Sequence, residues 1–125
     1  MAANACAVGF EQLHRDNVRY AERLPFAGDT VKAQGSAARV RDALSPLARS
    51  GERAPAVEAV QGAMMAVLPP KTFVQVMTNA RYLPGTAFGA EVAAGCVFGN
   101  ILDGVLAVDV GGYIRDGGCL AIIGH

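Results

Sequence analysis

The chain has 125 residues, 52% of them hydrophobic and only 18% charged, with a formal net charge of zero, which is one domain's worth of sequence without the dense basic face that nucleic-acid binding requires. No stretch approaches the roughly 18 consecutive apolar residues of a membrane span, and the start of the chain has neither the basic region nor the apolar run of a secretory signal. Three cysteines, Cys6, Cys96 and Cys119, form no Cys-x-x-Cys pair and no even set, so reduced thiols and a cytoplasmic location are expected.

Charge is unevenly spread along this neutral chain. Residues 1–81 hold ten Lys/Arg against seven Asp/Glu, whereas residues 82–125 hold Arg115 against Glu91, Asp103, Asp109 and Asp116. A chain with so few charges has little polar side-chain surface, so part of its apolar surface is expected to meet another chain. An Ala/Gly/Val-rich composition without structural consequence accounts for the same numbers.

Residues 10–24 place Phe10, Leu13, Tyr20, Ala21 and Leu24 along one helical stripe, with Arg15, Asp16, Arg19, Glu22 and Arg23 on the remainder. That is the pattern of an amphipathic surface helix, stopped by Pro25. Residues 26–35 read either as a plain loop into the next helix or as a degenerate copy of a glycine pattern found later in the chain. Ser36 is a candidate N-cap for a helix carrying Val40, Ala43, Leu44 and Leu47, which Pro46 should kink or end near Leu44. After the polar break at 50–53, Pro55 suits the first turn of another helix, whose apolar face is Val57, Val60, Met64, Val67 and Leu68 and whose end is Pro69-Pro70.

The period then changes. Thr72-Phe-Val-Gln-Val-Met77 is β-branched and aromatic, a predicted strand, and residues 79–85 with Pro84-Gly85 read as a turn region. Residues 89–101 and 111–123 share the pattern Gly-x-x-[Val/Ile]-x-x-Gly-x-x-[Phe/Leu]-x-x-Ile, a repeat offset by 22 residues. Between them, Asp103-Gly104 is flanked by apolar residues, the strongest short-range hairpin signal. A two-residue loop there pairs Leu102 with Val105, Ile101 with Leu106, Gly99 with Val108 and Val97 with Val110. Val97, Ile101, Leu106, Val108 and Val110 then share one face, and Asn100 and Asp109 the other. A second turn at Asp116-Gly117 would lead into residues 119–123. The expected fold is α+β in a single domain: residues 1–70 mainly helical, residues 71–125 a small antiparallel β module, either open or barrel-like.

The run Val108-Asp-Val-Gly111-Gly-Tyr-Ile114-Arg-Asp-Gly117-Gly-Cys-Leu120-Ala-Ile-Ile123 resembles the closing half of biotinyl/lipoyl-type (barrel-sandwich hybrid) domains, in which glycines punctuate short strands at this beat. Carriers of that family present a lysine on a tight hairpin, but here Asp103-Gly104 holds that place and no lysine follows Lys71. The resemblance therefore does not imply carrier chemistry. Ala94-Gly95-Cys96-Val97-Phe98-Gly99-Asn100-Ile101 is similar to runs in phage head-decoration proteins, which would imply a virion component.

No nucleotide-binding glycine loop, nucleophile elbow or zinc-protease motif occurs. A metal site would have to draw on Cys96, Cys119, His14 and His125, which share no ligand-pair spacing, and a Cys119–His14 or Cys119–His125 pair is the one formal nucleophile. The cysteines read as buried packing and the carboxylates as turn and edge residues. No catalytic, cofactor-binding or metal residue is assigned, and no cofactor, nucleic acid or membrane partner is expected. The leading reading is a non-enzymatic structural or assembly protein, an oligomer or particle-bound subunit docking through its β half, in the cytoplasm or on a particle assembled there. The alternative is a small enzyme or ligand-binding domain with its pocket between helices and β module.

Overall fold

The computed structural model of the chain describes residues 23–115 and 117–120. Two helices, α1 (Thr30–Ala48) and α2 (Val57–Val67), precede four strands, β1 (Val74–Ala80), β2 (Leu83–Val92), β3 (Gly95–Leu102) and β4 (Val105–Gly111). The strands form one antiparallel sheet in the order β1-β2-β3-β4. The fold is α+β, and the sheet stays open rather than closing into a barrel.

Helix α1 starts earlier than its apolar spacing predicts. The cap is Asp29, whose Oδ1 accepts from Lys32 N at 3.0 Å, and not Ser36. Ser36 instead belongs to the buried stripe Ala33, Ser36, Ala37, Val40, Leu44 and Ala48. Small residues carry that stripe upstream of Val40. Pro46 sits inside the helix, which runs on to Ala48. The proline leaves only the carbonyl of exposed Asp42 without its helical donor, and water can satisfy it.

Pro55 lies just before α2 rather than within it, because Ala56 is the N-cap. Its buried carbonyl accepts from Thr86 Oγ1, which ties the start of α2 to the middle of β2. Val60 and Met64 of α2 meet Val40 and Leu44 of α1 over one face of the sheet, against Phe88, Ala90, Val97, Ile101 and Val108.

The β3–β4 hairpin forms as expected. Asp103 (φ 51°) and Gly104 (φ 81°) are its loop, and Leu102–Val105, Ile101–Leu106, Gly99–Val108 and Val97–Val110 pair across it. The residues expected to share a face do so, and that face is the one beneath the helices. The stretch 79–85 is less of a loop than predicted, because Leu83 already pairs with Ala80. Asn79 then faces both Pro84 and Gly85 in a bulge, with Asn79 Oδ1 accepting from Gly85 N at 2.8 Å.

The glycine repeat is corrected here, and residues 26–35 follow the plain-loop reading. The predicted helix over 10–24 lies outside the described residues except at its end, where Arg23 forms an antiparallel bridge with Ile114 and Leu24 N donates to Tyr113 O. The two glycine-pattern copies do not fold alike: the first makes the β2–β3 hairpin, while the second begins at the end of β4 and continues as an irregular strap, described over residues 112–115 and 117–120. The degenerate copy at 26–35 is loop and then the first turns of α1. A glycine beat marks close approaches of the chain here, not a repeated unit.

Replacing Gly104 by Val forces a branched residue into positive φ, and urea unfolding should show a loss of about 1–3 kcal/mol. Restoring Asn at the same position should return most of it, since Asn tolerates that conformation.

Candidate functional site

On the sheet face away from the helices, Ala80, Leu83, Ala87, Cys96 and Phe98 form a second apolar cluster with Cys119 and Leu120 of the strap. Side chains alternate along each strand, so β3 sends Val97 and Ile101 to the helices and Cys96 and Phe98 to the strap. The expected open polar face is therefore a second core, with Phe98, Cys96 and Cys119 fully buried. The surplus of apolar residues in the β half, expected to look outward, is covered by the chain itself over the described residues; Ile122 and Ile123 lie outside them.

The strap is fastened in four ways. Cys96 and Cys119 are joined in a disulfide, with Cα atoms 5.6 Å apart. The reduced thiols expected from the odd cysteine count are thus corrected: Cys6 lies outside the described residues, and the other two are brought together by the fold. Arg23 is buried, its guanidinium 3.5 Å above the Phe98 ring. From there its Nη1 donates to Gly112 O at 3.2 Å and its Nη2 to Cys119 O. On the β1 side, Gln75 Oε1 accepts from Cys119 N at 3.0 Å. Beneath the strap, Gly89 lets the chain close down, because a Cβ there would meet Cys119 Cβ at 2.8 Å and Leu120 Cγ at 3.2 Å.

A groove of about 430 Å³ opens between the start of α1, the 69–72 connection and the β2–β3 turn. Lys32, Arg39, Ser36, Thr72 and Glu91 are its polar lining. Arg39 is held in place by Ser36 Oγ, which accepts from its Nη2 at 3.0 Å.

The remaining residues weighed from sequence do not converge. Glu91 lines the groove, and exposed Asp103 meets Arg53 at 3.3 Å, a surface pair worth little. Asp109 is half-buried on β4, while His14, Asp116 and His125 lie outside the described residues. Among the described residues, no group of three or more His, Cys, Asp and Glu is placed to hold a metal ion. No helix among them is long and apolar enough to cross a membrane. The strap lock went unread in the sequence because the repeat aligned Cys96 with Gly118 and Cys119 with Val97. The alternation of β3, which puts Cys96 on the face away from the helices, was the available signal.

Converting both Cys96 and Cys119 to Ser should cost about 3 kcal/mol in urea unfolding, the usual value for a cross-link closing a loop of this size. The Arg23→Met variant should lose about 1–3 kcal/mol from its charge-assisted bonds to buried carbonyls. Because both changes release one strap, the triple variant should lose clearly less than the sum, which a double-mutant cycle reads directly.

No protein-family model, curated protein or solved structure matches this chain, so its sites rest on their own geometry.

Proposed function

We propose that the chain is a non-enzymatic structural or assembly subunit that joins a neighbouring protein through its β half. The observation that carries this reading is the open edge of the sheet at β1. With one face under the helices and the other under the strap, the edges are where, among the described residues, backbone donors and acceptors remain to be paired. Exposed Phe73, immediately before β1, adds an apolar side chain beside that edge. A rigid sheet locked on both faces suits a part that transmits load or holds a position.

The location belongs to the same proposal. A particle surface fits better than a reducing cytosol, because the Cys96–Cys119 disulfide persists where thiols are oxidised. A virion component, as the resemblance to head-decoration proteins implies, is one such setting.

A second reading, a ligand-binding domain or small enzyme, is favoured by the groove between α1 and the β2–β3 turn. Its volume of about 430 Å³ lies within the range of small-molecule sites, and its two cations against one carboxylate suit a small anion.

Light scattering across micromolar concentrations should show a defined oligomer, and a strict monomer would overturn the assembly reading. Titration with inorganic phosphate should leave the amide resonances of Lys32, Ser36 and Thr72 unmoved; saturable shifts there would favour the ligand-binding reading instead.

A further inference from the structure

The two edges of the sheet are not equivalent. Antiparallel neighbours exchange hydrogen bonds at alternate residues, so each edge strand turns every second N–H and C=O away from its partner. On β4, the Leu102–Val105 pair closes the hairpin, which leaves Leu106, Val108 and Val110 facing outward. There Arg41 Nη2 already donates to Val108 O at 3.2 Å. Asp109 adds a charge to the strand. Beyond its end, Arg23 bonds Gly112 O, and Arg23 and Leu24 pair with Ile114 and Tyr113. The chain covers this edge with its own residues and guards it with charge.

Among the described residues, β1 has no corresponding protection along most of the strand. Phe73 O accepts from Glu91 N at 3.0 Å, which makes residues 73, 75 and 77 the ones bonded to β2. Val74, Val76 and Thr78 therefore point their backbone groups outward. Between Lys71 and Arg81 there is neither a charge nor a proline. Thr72, Val74, Val76 and Thr78 are all β-branched, and the bulge at Asn79 comes only near the end.

We infer that a second copy of this chain docks its own β1 antiparallel along β1, joining two sheets into one across a two-fold axis at Gln75. This rests on the assembly reading above and names its partner and register. An uncharged strand can lie against its own copy without opposing like charges. Four registers let the outward residues bond to one another, centred on Val74, Gln75, Val76 or Met77, and they set Phe73 opposite Gln75, Met77, Asn79 or Arg81 in turn. Centring on Gln75 sets Val74 against Val76 in hydrogen-bonded pairs. It also places Phe73, 55% exposed, directly opposite Met77, which is only partly buried, on the strap face of the joined sheet. Directly opposed non-hydrogen-bonded residues are the closest cross-strand neighbours, and thioether–aromatic contacts are favourable. That register alone gives the exposed ring an apolar partner, and it does so twice, once for each copy.

The test is sedimentation equilibrium and light scattering of the full chain and three variants, with circular dichroism to confirm folding. The wild type should be a dimer. Val76→Pro removes an outward N–H at an edge position where proline is tolerated, and it should be monomeric. Phe73→Lys alters only an exposed side chain and should weaken the dimer at least about tenfold, so it decides the matter if the proline variant does not fold. Val105→Lys, on an exposed residue at the tip of the opposite hairpin, should leave the dimer unchanged. A wild-type oligomer untouched by both β1 variants would overturn this interface while leaving the assembly reading standing. A wild-type monomer at every concentration would overturn both.

Discussion

The closure of the strap, residues 112–115 and 117–120, over the sheet is the constraint on which the rest of this structure depends. A four-stranded meander with helices on one side has a second apolar face that water would meet, and Phe98 lies at its middle. Burying a side chain of that size is worth roughly 1.5–3 kcal/mol, too little by itself to order an irregular strap of several residues. The disulfide from Cys96 to Cys119 lowers the entropy of the open alternative. The Arg23 guanidinium then joins ring and strap, stacking on Phe98 while its N–H groups bond two strap carbonyls. Neither fastening substitutes for the other: the cross-link fixes one point, and the arginine holds the segment between Gly112 and Cys119.

Closing both faces changes where the molecule can meet others. Among the described residues, most apolar side chains of the β half are satisfied internally, and Phe73, Tyr82 and Val105 are the large ones left exposed. What remains are directional backbone groups at the edges, unequal in kind. The N-terminal residues that close the strap also pair with the chain beyond β4, and Arg41 of α1 reaches the β4 edge. Fastening the strap therefore protects one side of the sheet, and among the described residues β1 has no such cover. The groove near Lys32 and Arg39 is a separate feature at the start of α1, and nothing in the lock depends on it.

Much of the fold was legible because it is written in local terms. Asp103-Gly104 needs positive φ at both positions and so determines a hairpin, its register and the face on which Val97, Ile101 and Val108 lie. The apolar spacing in α2 and the β-branched run in β1 are equally local. Boundaries failed where a residue's role depends on what it touches. Ser36 has the chemistry of a cap but lies in a buried stripe, and Pro46 is harmless because the carbonyl it deprives faces solvent.

The candidate sites were legible in one respect only: the pattern of β3 already separated Cys96 and Phe98 from Val97 and Ile101. That Cys119 would return to Cys96, and that Arg23 would cross from the far end of the chain to lie on Phe98, are contacts spanning 23 residues and most of the sequence. A sequence holds propensities and periods, which decide helix, strand and turn within a few residues. Here it determined the α+β order, the central hairpin and the face that the helices cover. Tertiary structure alone decided that the second face would be closed, by which segment, and which sheet edge the described residues cover. Those outcomes depend on where distant segments can reach once the sheet exists, and no local preference encodes that reach.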